Sequence, residues 1–230
     1  MVVTVAHRGA SGHALENTMQ AFRKAIEIGA DVIECDVRIT NDGKIVVIHD
    51  ADLKRTTFGQ GLVNELTLDE LHRIRTRNME RIPLLEDVLK FASGKCVIKI
   101  DIKEKGFEDE VLSSLDRYSM KEHSIITTEL PAVIKRTRKL DDEILLEYGG
   151  LKKPEPINRL VNRALSVKAN VLSPYYTMVS KELIDAAHEA GLAVDVWTVN
   201  DEKTARLMLS LGADAITTDF PEIVTKYYNL

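Results

Sequence analysis

Acidic side chains occupy alternate positions in two β-branched runs of the sequence. Glu34 and Asp36 are two residues apart, so in a β-strand both side chains point to the same face. Asp101 and Lys103 stand in the same relation further along the chain. Carboxylates that face one another remain protonated unless a cation neutralises them. Three oxygen ligands of this kind favour a hard divalent cation, magnesium, calcium or manganese, over zinc.

Two histidines are candidates for proton transfer near these acids. His7 follows the first β-branched run and His49 follows a later one, and an unperturbed imidazole titrates near neutral pH. Arg8 and Lys103 would supply fixed positive charge to an anionic phosphate. Trp197 could form an apolar wall for an organic group or pack in the core. For the acids, the alternative is a structural network of ion pairs with Arg8 and Lys103.

Short β-branched runs alternate with longer stretches of helical period along the chain. The predicted strands are Val2–Ala6, Val32–Arg38, Val97–Ile102, Ser124–Thr128, Ile144–Glu147, Asn170–Leu172, Ala193–Val199 and Ala215–Thr218. The predicted helices are Thr18–Ile28, Leu84–Phe91, Lys181–Ala190 and Asp201–Leu211. Eight strands with crossover helices predict a closed (β/α)8 TIM barrel, and an open doubly wound sheet is the alternative. In a barrel the carboxyl ends of the strands share one mouth, which would bring the candidate residues together.

The second predicted strand continues into a β-hairpin. The Asp-Gly pair at 42–43 lies between β-branched residues, which is a strong hairpin signal. With a two-residue loop, Asn41 would face Lys44 and Asp36 would face His49. Opposed residues point to one face of the ribbon, so this register would bring His49 to the carboxylates. A loop one residue longer would turn the histidine away.

The chain is predicted to form one domain, residues 1–230, with a short polar insertion at the barrel rim from about residue 51 to residue 81. Its 44% hydrophobic and 29% charged residues are typical of a globular protein. The net charge is −5 with both signs interleaved, which argues against a nucleic-acid surface. The first apolar run is too short for a signal peptide or stable membrane insertion, and Cys35 and Cys96 resemble reduced core residues. We therefore expect a cytoplasmic location, and the oligomeric state stays open.

Further short motifs accompany the candidate residues. They are His7-Arg8-Gly9, Glu16-Asn17-Thr18, Ala21-Phe22, Gly29-Ala30-Asp31, Glu34-Cys35-Asp36-Val37, Thr40-Asn41-Asp42-Gly43, His49-Asp50, Leu53-Lys54-Arg55-Thr56-Thr57, Ile82-Pro83-Leu84-Leu85-Glu86, Val196-Trp197-Thr198-Val199-Asn200 and Thr218-Asp219-Phe220-Pro221. In this order and spacing they resemble the glycerophosphodiester phosphodiesterase family. The resemblance covers essentially the whole chain, and a run of motifs this long is specific.

The resemblance implies a barrel enzyme that hydrolyses a glycerophosphodiester to sn-glycerol 3-phosphate and an alcohol such as choline or ethanolamine. It implies one divalent cation, magnesium or calcium, with manganese as a further candidate. The implied residues are Glu34, Asp36 and Asp101 at the metal, His7 and His49 as acid and base, and Arg8 and Lys103 at the phosphate. The implied partner is a small molecule rather than a nucleic acid or a membrane.

Two departures from the family pattern bear on metal and substrate. Asp101 stands where the family usually has glutamate, and this shorter side chain bears on the metal preference. The stretch 127–130, Thr-Thr-Glu-Leu, replaces a frequent Ser-Phe and adds the charge of Glu129 near the mouth. The alternatives are a phospholipase-type phosphodiesterase on the same barrel and a non-catalytic phosphodiester-binding module. A barrel isomerase or aldolase is disfavoured, because no glycine loop for a phosphate follows Thr218.

Overall fold

The computed structural model describes residues 2–229. Its strands are β1 (Val3–Ala6), β2 (Val32–Ile39), β3 (Ile45–Val47), β4 (Val97–Ile102), β5 (Ser124–Thr128), β6 (Leu145–Leu151), β7 (Val171–Pro174), β8 (Ala193–Val196) and β9 (Ala215–Thr218). Its helices are α1 (Met19–Ile28), α2 (Leu68–His72), α3 (Leu85–Ala92), α4 (Glu108–Arg117), α5 (Pro131–Leu140), α6 (Ile157–Ser166), α7 (Lys181–Glu189), α8 (Glu202–Leu211) and α9 (Glu222–Thr225). Within the described part of the chain, no helix is long and apolar enough to cross a membrane.

Eight of these strands close into a parallel barrel. Their order around the ring is β1-β2-β4-β5-β6-β7-β8-β9, and β9 pairs with β1. β3 is the exception, because it pairs antiparallel with β2 outside the ring. The predicted TIM barrel is therefore confirmed. The open-sheet alternative is wrong, since β1 has a neighbour on each side.

The hairpin of β2 and β3 has a longer loop than predicted. The strands pair so that residues 41–43 form the loop. Gly43 adopts the left-handed conformation, with φ of 75°, and a left-handed residue after a tight turn adds one position to a hairpin loop. The predicted pairing of Asp36 with His49 is therefore wrong, and the N–H of Ile48 donates instead to the carbonyl oxygen of Asp36 at 2.9 Å.

β6 runs further than the sequence predicts. The predicted strand ends at Glu147, whereas the observed one reaches Leu151 after a register shift that begins at Tyr148. Gly150 lies within the shift, with φ of 74°, a conformation that glycine adopts without strain. An irregular strand of this kind re-aims the residues that follow it at the barrel rim.

Helix α1 illustrates how the outer ring is built. The Thr18 hydroxyl accepts a hydrogen bond from the N–H of Ala21 and caps the first turn, and Gly29, with φ of 91°, ends the helix. Phe22 and Ala25 are spaced for one helix face and are fully buried against the barrel. The main apolar core therefore lies between the strands and the surrounding helices.

The inside of the barrel is polar. Lys99 is 3% exposed, and its ammonium group contacts Glu147 Oε1 at 3.0 Å, Thr217 Oγ1 at 3.2 Å and the carboxylate of Asp195. These four residues are called the floor cluster below. Barrel interiors are usually filled by branched apolar side chains, so a charged cluster here is unusual. Three of its members, Lys99, Glu147 and Thr217, line the cavity at the barrel mouth.

The insertion after the hairpin packs through a small apolar core of its own. Val46 and Ile48 from the hairpin lie with residues from the insertion in one buried cluster. The insertion residues in that cluster are Leu53, Val63 and Leu71. A second connection is made by Arg55, which reaches Asp50 with an Nε–Oδ2 distance of 2.6 Å. The insertion is thus fastened to the rim beside His49.

Candidate active site

A cavity of about 260 Å³ opens at the carboxyl ends of the barrel strands. The residues selected from the sequence that line it are His7, Arg8, Glu34, His49, Asp101, Lys103 and Trp197. Asp36 is 1% exposed and lies against this lining, where its carboxylate contacts Lys103. The barrel mouth therefore brings together every candidate site residue.

Glu34, Asp36 and Asp101 form a compact group of carboxylates. One oxygen atom from each lies within 4.8 Å of the others. The parallel register of β2 and β4 sets this arrangement, because it pairs Asp36 with Asp101 and Glu34 with Lys99. Carboxylate oxygens grouped in this way are the donor set that a hard divalent cation such as magnesium or calcium takes.

The electrostatics of this group fit such an ion. Burial, followed by the negative charge of Asp36, raises the pKa of Glu34 to about 7. Burial also raises the pKa of Asp101, against the opposing effect of Lys103. These two carboxylates therefore lack sufficient neighbouring positive charge, which a bound divalent cation would supply.

The ionised form of Asp36 is stabilised by its neighbours. Asn17 donates from Nδ2 to Oδ2 at 2.7 Å, the Nζ of Lys103 lies 2.9 Å from Oδ1, and the Nε of Arg8 lies 3.1 Å from Oδ2. Burial alone would raise the pKa of Asp36, but Lys103 and Arg8 outweigh it and hold that pKa well below its usual range. Lys103 also lies 2.5 Å from Asp101 Oδ2. Both cations therefore form the ion pairs of the structural alternative, while they also line the cavity.

The backbone at Arg8 connects the first strand to the acids. Its N–H donates to Glu34 Oε2 at 2.6 Å, and its φ is 56°. The next residue, Gly9, has φ of 79°, and a Cβ there would lie 2.6 Å from the carbonyl carbon of Ala21 in α1. Only glycine fits this approach. The guanidinium group of Arg8 also donates to Glu16 Oε1 at 2.9 Å, so the His-Arg-Gly motif fixes both the backbone and the side chain of Arg8.

Each candidate histidine is paired through Nδ1 with a carboxylate. The Nδ1 of His7 lies 2.7 Å from Asp219 Oδ1, and the Nδ1 of His49 lies 2.7 Å from Asp50 Oδ1. Burial opposes ionisation of Asp219, yet the hydrogen bond from His7 lowers its pKa to about 2. Hydrogen bonds from Arg55 and then His49 lower the pKa of Asp50 to about 2. An ionised carboxylate only accepts, so Nδ1 carries the hydrogen and Nε2 of the neutral ring keeps its lone pair.

His49 reaches the cavity by leaving the hairpin ladder. β3 ends at Val47 and the chain bends at His49, so strand alternation no longer sets the direction of its side chain. The Nε of Arg38 donates to the carbonyl oxygen of His49 at 2.8 Å and fixes this bend. Burial lowers the pKa of His49 more than the nearby charge of Asp36 raises it. The ring is therefore largely neutral at pH 7.

The side chains that orient these groups are not among the residues predicted from the sequence. The missed residues are Glu16, Asn17, Asp50 and Asp219, which pair with Arg8, Asp36, His49 and His7. All four lie inside the motifs that carry the family resemblance, which was the available signal. Asp219 follows β9, and the pairing of β9 with β1 is what places it beside His7.

Trp197 forms one wall of the cavity. β8 ends at Val196, so Trp197 starts a loop rather than continuing the predicted strand, and it is partly exposed. Its Nε1 donates to the carbonyl oxygen of Ser173 at 2.8 Å, and the ring of Tyr175 contacts it edge-on with centroids 5.6 Å apart. Of the two alternatives from the sequence, cavity wall and core, the structure supports the first.

A TIM barrel whose mouth holds grouped carboxylates, oriented histidines and fixed cations defines a hydrolase of phosphoric diesters. The sequence matches the Glycerophosphoryl diester phosphodiesterase family over residues 7–223. The chain therefore belongs to this family, and the resemblance noted in the motifs is confirmed.

Individual relatives agree with the family match over nearly their whole length. A glycerophosphodiester phosphodiesterase of Caldanaerobacter subterraneus subsp. tengcongensis is 33% identical over 236 residues, which cover 96% of this chain and 95% of the relative. The crystal structure of a glycerophosphodiester phosphodiesterase from Thermotoga maritima has a TM-score of 0.85 and 29% identity, covering 99% of this chain and 98% of that one. An Oleispira antarctica phosphodiesterase in complex with the product sn-glycerol-3-phosphate has a TM-score of 0.88 and 25% identity, covering 99% and 97%.

Proposed function

We propose that this protein hydrolyses small glycerophosphodiesters to sn-glycerol 3-phosphate and an alcohol, with the help of one divalent cation. The observation that carries the proposal is the meeting, in one cavity, of three carboxylates with two carboxylate-paired histidines. The product bound to the Oleispira antarctica relative supports the choice of sn-glycerol 3-phosphate. The family membership supports the diester bond as the one that is broken.

The metal would be held by Glu34, Asp36 and Asp101, with magnesium or calcium as the main candidates and manganese as a third. A bound divalent cation supplies charge neutralisation to a phosphoryl oxygen. Arg8 and Lys103 line the cavity beside these carboxylates and are the residues that would hold the remaining phosphate charge. Their ion pairs keep both side chains in place before the substrate arrives.

The two histidines divide the proton transfers. His49 has a lowered pKa and a free lone pair on Nε2, so it serves as the general base that takes a proton from the nucleophile. His7 serves as the general acid that protonates the leaving oxygen, and Asp219 holds its ring in place through Nδ1. Trp197 limits the space for the organic group of the substrate.

The experiment that tests this function measures release of sn-glycerol 3-phosphate from glycerophosphocholine and glycerophosphoethanolamine. The protein is first treated with a chelator, and magnesium, calcium or manganese is then added back separately. Release that is lost with the chelator and restored by an ion supports the proposal. No release from either diester with any ion contradicts it.

Two further arms of the same experiment distinguish the alternatives. Hydrolysis of lysophospholipid in vesicles, without hydrolysis of the soluble diesters, would favour the phospholipase-type enzyme. Binding of a soluble diester that stays intact for hours would favour the non-catalytic module. The variant Glu34→Gln serves as the matched inactive control. It removes the negative charge of one proposed metal ligand while the size of the side chain stays nearly the same.

A further inference from the structure

Two residues of opposite charge line the cavity in addition to those already described. They are Glu129, at the end of β5, and Lys152, just after β6. Within residues 2–229, neither side chain forms an ion pair. The other cationic residues of the lining do, since Arg8, Arg38, Lys99 and Lys103 contact Glu16, Glu104, Glu147 and Asp101 respectively.

The irregular end of β6 creates the space for Glu129. A Cβ on Gly150 would lie 2.3 Å from the Cβ of Glu129 and 2.9 Å from its Oε2. A Cβ on Gly149 would lie 3.1 Å from the hydroxyl of Thr127. Gly150 therefore lets the side chain of Glu129 lie directly over the backbone of β6, two residues before Lys152.

The positive charge of Lys152 is held against a rigid aromatic ring. The Nζ of Lys152 lies 5.1 Å from the centre of the Trp197 ring, where an ammonium group is attracted by the aromatic face. Trp197 is in turn fixed by its bond to Ser173 and by Tyr175. The positive charge of Lys152 is thus held above one wall of the cavity and stays available to an anionic group.

We propose that Glu129, Lys152 and Trp197 form a subsite for a zwitterionic leaving alcohol, of which a hydroxy amino acid such as serine is the simplest. The carboxylate of Glu129 would receive the ammonium group of the alcohol, and Lys152 would receive its carboxylate. Among the described residues, neither side chain forms an ion pair with the other or with a third residue, so both charges are available to the ligand. The proposal rests on the proposed function and names the class of diester that the enzyme prefers.

Three diesters that differ only in the alcohol test each charge separately. Glycerophosphoserine carries both charges on its alcohol, glycerophosphoethanolamine carries only the ammonium group, and glycerophosphoglycerol carries neither. We expect the wild-type protein to have the highest kcat/KM for the serine diester. One exposed ion pair contributes about a threefold to fivefold preference, so two such pairs should favour glycerophosphoserine over glycerophosphoglycerol by about tenfold to twentyfold.

Substitutions then remove one charge at a time. Lys152→Met should lower kcat/KM for glycerophosphoserine by about threefold to fivefold. The values for the other two diesters should not change. Glu129→Gln should lower kcat/KM for both the serine and the ethanolamine diester and should not change the value for glycerophosphoglycerol. Lys153→Met is the matched control, because Lys153 is exposed one residue further along and does not line the cavity.

Glycerophosphoglycerol, whose alcohol is uncharged, distinguishes failure of the subsite from failure of the proposed function. If glycerophosphoglycerol is hydrolysed but the serine diester is not preferred, the subsite is overturned and the phosphodiesterase stands. A loss that is equal for all three diesters in Lys152→Met or Glu129→Gln also overturns the subsite. If no diester is hydrolysed, the proposed function fails and the subsite fails with it.

Discussion

The Nδ1 atom of His7 lies 2.7 Å from Oδ1 of Asp219, although the two residues are 212 positions apart in the chain. The contact exists because β1 and β9 are neighbours in the barrel and both end at the mouth. Ser11 donates a second hydrogen bond to the same carboxylate oxygen at 2.9 Å, so Asp219 is fixed in place. The pair sets the tautomer and the orientation of the His7 ring.

Asp219→Asn is expected to lower kcat by about tenfold to a hundredfold, since loss of the charge leaves the imidazolium form of His7 without its counter-ion. Steady-state kinetics with glycerophosphoethanolamine would measure the change. Glu222→Gln is the matched control, because Glu222 pairs with the surface residue His13 at 2.8 Å outside the cavity. Equal losses in both variants would contradict a specific role for Asp219.

Replacing either candidate catalytic histidine should have a larger effect. His7→Ala and His49→Ala are each expected to lower kcat by about two to four orders of magnitude, the range for loss of a general acid or base. His188→Ala is the control, because His188 pairs with Asp214 on the exposed side of α7. A His7→Ala or His49→Ala variant that retains most of its activity would rule out that residue as a proton carrier.

The acid limb of the pH profile of kcat/KM should follow the titration of His49. Its pKa is lowered by burial, so kcat/KM is expected to fall only as the pH drops below the usual titration range of histidine. The hydrogen bond to Asp50 raises the pKa of His49, so Asp50→Asn should move this acid limb to still lower pH. Asp52→Asn, which changes an exposed carboxylate two residues away, should leave the limb in place. A shift to higher pH in Asp50→Asn would contradict the assignment.

Divalent cations should stabilise the folded protein. At a metal concentration of about 100 Kd the expected gain is about 2.7 kcal/mol, or a rise in Tm of roughly 5 to 10 °C for a chain of this size. Asp101→Asn removes one ligand charge and should reduce that rise, as followed by thermal unfolding with and without the ion. Asp109→Asn is the control, because Asp109 is an exposed residue of α4 that pairs with Arg136. If none of the three candidate ions changes the Tm, this result would count against the metal site.

The stability of the folded protein should depend on Lys99, the one positively charged residue of the floor cluster. Lys99→Met leaves Glu147 and Asp195 buried without positive charge and is expected to cost about 3 to 5 kcal/mol of unfolding free energy. Urea unfolding at pH 7 measures the change, and adding Glu147→Gln to the variant should restore part of it. Lys181→Met removes a lysine that pairs with Asp185 on the exposed face of α7 and should change stability little.

The sequence predicts those features that depend on local periodicity. Glu34 and Asp36 were expected on one face because strand residues alternate, and the barrel followed from the number and order of the β-branched runs. Both expectations agree with the structure. The cytoplasmic location, which was inferred from the short first apolar run and from the two cysteines, stays a prediction.

Features that depend on closure of the barrel or on one extra loop residue could not be obtained in this way. Lys99 meets Glu147 and Asp195 across 48 and 96 residues, and their contact exists only because the ring places three strands around one interior. The predicted hairpin register was wrong because the loop is one residue longer than predicted. Gly43 adds one left-handed position to the loop, and the Asp-Gly signal is common to loops of both lengths.

The pairing of β1 with β9 also makes the candidate site depend on two distant segments of the chain. His7 and Arg8 follow the first strand of the barrel, whereas Asp219 follows the last. A fragment cut before β9 would keep the three grouped carboxylates, but it would lose both the partner of His7 and the strand that closes the ring beside it. Removal of this one strand would therefore separate the oriented histidine from the acids that it faces.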